Sequence, residues 1–388
     1  IIMTFATAMI LPRLNLPFDT YSGDVVKDTS TKVIQERIEE YKKVSNVESD
    51  VTRAIETGGP SVVSIITTKE LESYLTDPFT FFFWLRPEKT TKITKTTTQK
   101  VKVGGGSGII ISKDGYIITN KHVISDTTAQ YTVVTSDGDA LNVKKVWLDP
   151  VLDIAVMQVT DNTGSLPTDL QPATFISYKS PVHIGQFTIA IGNALAEYSN
   201  TATFGIISAK NRSVDTQQTD TAYIGLYQTD APINPWNSGG PLLNTAWEVI
   251  GMNTAVSQGE WIGFALPLTN EFIQATLSSL KEDGTISRPY IWIQSKVLSK
   301  SAARNLNMTK FEWLYVQSSQ TASPALRAGI GSGDVITEIN GTAVQNDMPL
   351  LYTLYTYKPW DIISLLIYKN KEYKKIDVTL TALSSIAQ

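Results

Sequence analysis

Three short segments of the chain carry side chains that could act together in nucleophilic catalysis. His122 lies in residues 119–123, Asp153 precedes an apolar run, and Ser238 begins the run Ser-Gly-Gly. A serine hydroxyl is a weak nucleophile at neutral pH, so it needs a base within hydrogen-bond reach and a carboxylate that orients the base. Taken singly, each residue also has an ordinary explanation as a turn or surface residue. Together, in the order His, Asp, Ser, they predict acyl transfer.

Several elements must position these side chains. Residues 106–268 form a succession of short β-rich runs broken by turn signals, which predicts an all-β barrel or sandwich. Residues 270–281 have helical periodicity and are expected to close that domain, with a boundary at residues 282–284. The final hundred residues mix strands with a small-residue helical segment at 323–329, as in a compact α/β module.

Composition excludes several classes of function. The 388 residues suffice for two or three domains. With 33 Lys and Arg against 37 Asp and Glu, the formal net charge is −4, which argues against a nucleic-acid partner. The chain has no cysteine and only two histidines, His122 and His183, so disulfides, thiolate chemistry and a histidine-rich metal site are excluded. No cofactor or metal is expected, and His183 is expected to be structural.

The first 46 residues differ from the rest. Residues 1–11 are apolar, uncharged and too short to span a bilayer, and they resemble the end of a signal or membrane-anchor segment; a buried or frayed terminus is the alternative. Residues 29–43 have the pattern of a short amphipathic spacer helix. Residues 69–103, rich in Phe, Lys and Thr, predict a long loop inside a domain. Their Phe79–Phe83 cluster could contact substrate or another subunit, or anchor the loop.

The three segments and their flanks resemble the HtrA (DegP-like) branch of the chymotrypsin-fold serine proteases. The resemblance covers roughly residues 47–385, and the Ser238 segment is its most specific part. It implies a mainly β fold: a double six-stranded β-barrel protease domain at 47–282, followed by an α/β PDZ domain at 285–388. The other matching motifs lie at Pro60–Val63, Gly106–Gly108, Asp114–Asn120, Ile191–Asn193, Gly205–Ser208 and Ile262–Pro267.

The resemblance implies a role for each site residue. His122 is the base, Asp153 orients it, and Ser238 attacks a peptide carbonyl. The backbone amides of Trp236 and Ser238, helped by that of Asn237, hold the oxyanion. The glycines after Ser238 allow the tight turn that this requires.

Specificity and regulation follow from the same resemblance. Ile233 and Ile262 wall the primary pocket, with Gly263 and Phe264 beside them, which implies a preference for small or medium aliphatic side chains. The segments that correspond to the family's regulatory loops are the one ending at Val103 and those at 211–223 and 256–261.

The C-terminal module resembles the PDZ domain that such proteases carry. Its motifs lie at residues 323–329, 333–336 and 339–341. Such a domain binds an extended peptide C-terminus by strand addition, with loop amides at the carboxylate. The alternative is a small α/β module with no peptide ligand. The predicted carboxylate loop is Tyr290, Ile291, Trp292 and Ile293.

Family behaviour implies partners and location. It implies an ATP-independent endopeptidase that assembles as a homotrimer and cleaves unfolded or misfolded envelope proteins, regulated by its PDZ domain. The protein is expected outside the cytoplasm, with an N-terminal membrane anchor. Two alternatives remain open: a pseudo-protease or chaperone that binds unfolded chains, and a structural PDZ adaptor.

Trp236 departs from the family pattern, because the family has Gly at this position. A Cβ there would cost about 1 to 2 kcal/mol if the residue needs a left-handed conformation, and a lost oxyanion donor costs about 2.7 to 4 kcal/mol of transition-state stabilisation. Other tryptophans also stand where the family has Gly. Our hypothesis is that these are glycines in the living protein, through a UGA codon read as Gly. The positions are Trp236, Trp247, Trp261, Trp292, Trp313 and Trp360, and less diagnostically Trp84 and Trp147.

Overall fold

A computed structural model describes most of the chain. The apolar start, the spacer helix expected at 29–43, the Phe79–Phe83 cluster, Trp84 and Trp261 lie outside the described residues. Among the described residues, no helix has both the length and the apolar character needed to cross a bilayer. The described residues are 47–74, 95–194, 198–214, 223–254, 262–308, 313–344 and 350–384.

The first barrel follows a helix, α1 (residues 47–58), and a 3-10 turn at Gly59–Ser61. Its six strands close in the order β1-β2-β3-β6-β5-β4, every neighbouring pair antiparallel. The strands are β1 (Val62–Tyr74), β2 (Lys95–Ile110), β3 (Tyr116–Thr119), β4 (Gln130–Val134), β5 (Ala140–Leu148) and β6 (Ala155–Thr160).

The second barrel closes in the order β10-β11-β12-β9-β8-β7. It ends in α2 (Asn270–Asp283), which Thr269 caps by accepting a hydrogen bond from the Phe272 amide and which Gly284 ends at φ 70°. The helix predicted at 270–281 is therefore confirmed, and the domain boundary at 282–284 stays a prediction. The strands are β7 (Phe187–Ala194), β8 (Tyr198–Val214), β9 (Tyr223–Thr229), β10 (Pro241–Leu243), β11 (Val249–Thr254) and β12 (Gly263–Pro267).

The C-terminal module contains a sheet in the order β14-β15-β16-β18-β19, with β17 beside β16, and a separate β13-β20 pair. Strand β14 is therefore an edge strand. The predicted double barrel followed by a small α/β module is confirmed. The elements are β13 (Ser287–Tyr290), β14 (Ile293–Val297), α3 (Lys300–Asn305), β15 (Leu314–Ser319), α4 (Pro324–Arg327), β16 (Val335–Ile339), β17 (Thr342–Ala343), α5 (Leu350–Leu354), β18 (Ile362–Lys369), β19 (Glu372–Thr379) and β20 (Thr381–Ser384).

Strand β3 is buried at every position because its two faces pack on different cores. Ile117 belongs to the core of the first barrel, together with Val63 and Met157. Ile118 belongs to the larger cluster that also holds Ile191 of the second barrel. A strand packed on both faces is rigid, and it leads directly into the turn that carries His122.

A buried ion pair joins the C-terminal module to the first barrel. Arg288 Nε lies 2.6 Å from Asp149 Oδ2, and both side chains are almost fully inaccessible to solvent. The guanidinium also lies over the rings of Phe272 and Tyr355, at 4.3 and 5.0 Å from their centroids. Breaking a buried pair leaves an uncompensated charge, so this contact resists separation of the two modules.

The predicted loop at residues 69–103 is partly a hairpin. Strand β1 continues to Tyr74 and β2 begins at Lys95, in an antiparallel ladder that pairs Lys69 with Val101 and Ser73 with Thr97. The loop prediction was therefore wrong for residues 69–74 and 95–103. In residues 95–103 the β-branched Thr and Val favour a strand, and pairing in the ladder satisfies the backbone of both segments.

Three tryptophans adopt the left-handed backbone conformation that favours glycine. Their φ angles are 55° at Trp247, 59° at Trp292 and 73° at Trp360. A Cβ in this region clashes with the backbone, and bulky residues rarely adopt it. These conformations are what the glycine hypothesis requires.

Trp147 shows the opposite behaviour. Its side chain is buried, stacks on Tyr116 with ring centroids 5.9 Å apart, and donates a hydrogen bond from Nε1 to the Gly284 carbonyl at 2.8 Å. Trp236 is not among the residues with positive φ. The left-handed conformation considered for Trp236 is therefore not adopted here.

Candidate active site

The turn after β3 positions His122. The Thr119 hydroxyl at the strand end donates to the Ser107 carbonyl at 2.7 Å, and the chain then enters a 3-10 turn at Lys121–Ile124. Asn120, between them, is fully buried. The imidazole therefore projects from a short turn whose first residues are fixed by hydrogen bonds in the core.

A tight turn before β6 positions Asp153. The Asp149 carboxylate accepts hydrogen bonds from the amides of Val151 and Leu152, each at 2.9 Å, while the Asp149 amide donates to the Ile154 carbonyl at 2.8 Å. This turn delivers Asp153 almost fully buried at the entry to the strand.

The structure brings the three predicted triad residues together. His122 Nδ1 lies 2.7 Å from Asp153 Oδ2, and His122 Nε2 lies 2.9 Å from Ser238 Oγ. The His122 amide also donates to Asp153 Oδ1 at 3.1 Å, so the carboxylate fixes both the ring and the backbone of the histidine. This is the geometry in which a serine hydroxyl can pass its proton to an oriented imidazole.

Ser238 sits in the turn between β9 and β10, close against the first barrel. Its carbonyl accepts the Ser107 amide at 2.9 Å. Gly239 has φ 86°, and a Cβ there would collide with the Ser107 carbonyl and the Thr119 hydroxyl. Only glycine allows this close approach, which holds the nucleophile at the junction of the two barrels.

The three predicted oxyanion amides all donate to Asn234. The Trp236 amide donates to Asn234 Oδ1 at 3.0 Å, and the amides of Asn237 and Ser238 donate to the Asn234 carbonyl at 3.2 Å each. The Trp236 carbonyl accepts the Ser107 hydroxyl at 2.7 Å. The predicted oxyanion hole is thus not preformed, because its donors are engaged within their own turn.

The predicted pocket residues are partly brought together. A Cβ on Gly263 would clash with Ile233 Cγ1, so this isoleucine packs directly on the β12 backbone. Ile262 is 45% exposed and Phe264 half-buried. Because residues 255–261 lie outside the described chain, only one side of the predicted pocket can be placed.

Two polar residues at the triad are absent from the sequence prediction. Tyr223, buried at the start of β9, donates a hydrogen bond to the Asp153 carboxylate. Burial raises the pKa of the Tyr223 hydroxyl, and the negative carboxylate raises it further. Asn120 lies against Ser238, with its Oδ1 2.9 Å from Ser238 Oγ. Asn120 belongs to the motif Asp114–Asn120, but the sequence does not show its contact with Ser238 or that of Tyr223 with Asp153.

A second site lies in the C-terminal module. The four predicted carboxylate-loop residues, Tyr290, Ile291, Trp292 and Ile293, line a cavity of about 440 Å³. Helix α5 contributes one wall, through Leu350, Leu351 and Leu354. Residues of the barrels also reach this cavity, and they are Val151, Asn211, Ser213 and Ile224.

Comparison with known families agrees with this architecture. A profile described as Trypsin-like peptidase domain matches residues 106–252, and a PDZ domain profile matches residues 289–380. Among solved structures, the HtrA-type protease AlgW with a tripeptide is 26% identical and has a TM-score of 0.57, covering 86% of this chain and 97% of that chain. AlgW with a decapeptide is also 26% identical, with a TM-score of 0.56 and coverages of 86% and 98%.

Curated relatives are also named as serine proteases. A Brucella suis protein named "Probable periplasmic serine endoprotease DegP-like" is 33% identical over 72% of this chain, which spans about half (53%) of that relative's length. The "Serine protease Do-like HtrA" of Lactococcus lactis is 33% identical over 88% of this chain and 85% of its own length. With that identity over most of both sequences, the chain belongs to the HtrA family of serine proteases.

Proposed function

We propose that the protein is an ATP-independent serine endopeptidase of the HtrA type that cleaves unfolded or misfolded proteins outside the cytoplasm. The observation that carries this proposal is the continuous hydrogen-bonded relay from Asp153 through His122 to Ser238, with distances of 2.7 and 2.9 Å. The relatives named periplasmic serine endoproteases support the location and the type of reaction.

The reaction follows from the geometry of the relay. His122 Nε2 takes the proton of Ser238 Oγ as the oxygen attacks a peptide carbonyl, and Asp153 stabilises the imidazolium that forms. The imidazolium then protonates the leaving amine, and water resolves the acyl-enzyme by the same steps in reverse. The oxyanion needs the amides of Trp236 and Ser238, so both must first leave Asn234.

Specificity resides in the pocket beside β12. Ile233 and Ile262 offer an aliphatic surface, with Gly263 and Phe264 along the strand. Such a pocket favours small or medium aliphatic side chains before the cleaved bond. A missing or additional methylene changes binding there by about 1 to 3 kcal/mol, so this selectivity is moderate.

The cavity next to β14 is the proposed peptide site. An edge strand can pair with an extended peptide C-terminus, and the loop formed by Tyr290, Ile291, Trp292 and Ile293 would receive its carboxylate. Because barrel residues such as Ile224 share this cavity, a bound peptide would contact both modules, which supports regulation of proteolysis by the PDZ domain. We further propose a homotrimer with an N-terminal membrane anchor, no cofactor and no nucleic-acid partner.

Labelling of the nucleophile tests the proposed activity. A fluorophosphonate probe should label the purified chain and fail to label Ser238→Ala, and only the unsubstituted chain should cleave an unfolded protein such as reduced casein. Equal labelling of both forms, or no casein cleavage by the labelled enzyme, would refute the proposal. Within the described residues no member of the relay is missing, so nothing here favours the pseudo-protease alternative.

A further inference from the structure

Asn120 occupies an unusual position beside the nucleophile. Its side chain is fully buried and makes three hydrogen bonds. Oδ1 lies 2.9 Å from Ser238 Oγ, and Nδ2 lies 3.1 Å from the Asp153 carbonyl and 2.9 Å from Thr254 Oγ1. A single amide therefore touches the reacting oxygen of one triad residue and the backbone of another.

The orientation of this amide follows from its partners. The Asp153 main-chain oxygen can only accept a hydrogen bond, so the Asn120 atom facing it must be the Nδ2 donor. Oδ1 then faces Ser238, and a carbonyl oxygen can only accept. The Ser238 hydroxyl must consequently donate its single proton to Asn120 in this contact.

Counting protons along the relay shows which protonation state of the histidine satisfies every contact. Since the Ser238 proton points at Asn120, the 2.9 Å contact between Ser238 Oγ and His122 Nε2 needs a proton on Nε2. The 2.7 Å contact between Nδ1 and the Asp153 carboxylate needs a proton on Nδ1. All three hydrogen bonds are satisfied together only when His122 carries both protons.

We infer that Asn120 is a further catalytic residue, whose Oδ1 holds the Ser238 proton whenever His122 is doubly protonated. This inference rests on the proposed proteolytic function. When the Nε2 proton leaves to solvent, the hydroxyl proton turns from Asn120 Oδ1 to Nε2, and Ser238 becomes ready to attack. Asn120 therefore stabilises the unreactive form of the site at low pH.

The other charged groups near His122 are the same in the unsubstituted chain and in the Asn120 variants. The Asp153 carboxylate faces the ring directly, and Tyr223 donates to that carboxylate. Lys121 interacts electrostatically with Asp149 and Asp153, and Arg288 pairs with Asp149. A change confined to Asn120 leaves these groups in place, so its effect on the pH response can be measured separately.

The test is a titration of the histidine rings by ¹⁵N NMR in the full chain. The chain has only two histidines, and the exposed His183 serves as an internal reference. Asn120→Leu removes the acceptor while keeping the approximate shape. We expect the midpoint of the His122 titration to fall by about 0.5 to 1 pH unit, a three- to tenfold loss of proton affinity. The acid limb of kcat/KM should move by the same amount.

Two controls separate this role from packing. Thr254→Val removes a partner of Nδ2 but leaves the contact between Asn120 Oδ1 and Ser238 Oγ, so it should leave the midpoint unchanged. In a Ser238→Ala background, Asn120→Leu should no longer shift the midpoint, because the hydroxyl that links the two residues is gone.

An unchanged midpoint in Asn120→Leu, or a shift that persists without the Ser238 hydroxyl, would overturn the inference. If Asn120→Leu does not fold, Asn120→Asp is used in its place. This variant keeps an acceptor opposite Ser238 and adds negative charge, so the midpoint of the His122 titration should rise. A fall or no change would also overturn the inference. The titration needs no substrate. A chain with the expected shift but no proteolysis would therefore refute the proposed function and leave the network intact.

Discussion

The proton relay and the oxyanion turn are neighbours with opposite properties. The relay is assembled, with Asp153, His122 and Ser238 in continuous hydrogen-bond contact. Two residues before Ser238, the Trp236 amide donates a hydrogen bond to Asn234 of its own turn. One half of the catalytic machinery is therefore assembled and the other is not.

The supporting elements explain this difference. His122 closely follows β3 and Asp153 closely precedes β6, and both strands are packed between two cores, where movement would disturb many contacts. The oxyanion amides depend on the local bonds of the turn that starts at Asn234, next to a Trp236 side chain that is 39% exposed. Rotation of a few peptide units can exchange such bonds at small cost, so regulation can act on this turn without disturbing the relay.

The largest expected effect comes from breaking the relay at its buried end. Asp153→Asn keeps the shape of the side chain but favours the wrong tautomer of His122, and should lower kcat by about 10⁴-fold. Fluorophosphonate labelling of Ser238 should slow in parallel, while the melting temperature stays close to that of the unsubstituted chain. A loss below tenfold would show that the assembled relay does not carry the catalysis.

The next largest effect is expected from a substitution in the turn that carries the oxyanion amides. Under the glycine hypothesis, Trp236→Gly restores the residue that can turn its amide toward the oxyanion, and kcat should rise by about 10²- to 10³-fold. Trp236→Ala is the matched control, since it removes the ring but keeps a Cβ. If Ala rescues activity as well as Gly, the bulk of the indole was the obstacle and backbone freedom was not.

The mass of the Ser238 peptide from the native source tests the same hypothesis directly. A glycine mass at residue 236 would establish the recoding at the position that matters most for catalysis. A tryptophan mass there would contradict it, and the low activity expected of the Trp236 form would then be a property of the natural protein.

The relay could be predicted from sequence, but its surroundings could not. His122, Asp153 and Ser238 carry their own motifs, because each chemical role demands one residue type within a recognisable segment. Asn120 meets Ser238, and Tyr223 meets Asp153, only in the folded barrels, and asparagines and tyrosines are common in turns and strands. Their roles depend on contacts between residues far apart in the chain, for which a single sequence holds no periodic signal.

The fold shows the same limit. The succession of short β-rich runs between turn signals predicts a barrel or a sandwich, and the resemblance to the HtrA proteases narrows this to two barrels. The outer part of the β1–β2 hairpin was missed because residues 95–100 contain no apolar residue and so lack the alternation that marks a half-buried strand. Nothing in a sequence states which amides bond within their own turn, so the engagement of the Trp236 amide by Asn234 could not be foreseen.

The other tryptophans can be compared in the same way, and here the measured quantity is the free energy of unfolding. Trp247→Gly and Trp360→Gly should each raise the free energy of unfolding by about 1 to 2 kcal/mol, because both residues have φ above 50°. Alanine at either position keeps the Cβ and should give no gain.

Trp147→Gly should instead cost about 3 to 5 kcal/mol, since it empties a buried, hydrogen-bonded site. Denaturant unfolding measures all of these, and stabilisation by Trp147→Gly would contradict the assignment of this ring to the core.

The smallest loss of kcat is expected from a substitution beside the relay, at Tyr223. Tyr223→Phe removes one of the hydrogen bonds that the Asp153 carboxylate accepts and keeps the ring that packs at the start of β9. A hydrogen bond to a charged group contributes about 1.5 to 3 kcal/mol, but two bonds from His122 still hold the carboxylate. We therefore expect a three- to tenfold loss of kcat with KM unchanged, measured on a peptide substrate. The next residue, Ile224, accepts a hydrogen bond through its carbonyl from the Tyr352 hydroxyl of α5 at 3.2 Å, so a larger loss would mean that the relay also depends on the PDZ module. Tyr352→Phe distinguishes the two cases, because it cuts the link to α5 without touching the carboxylate, and it should leave kcat unchanged if the relay is held by the barrels alone.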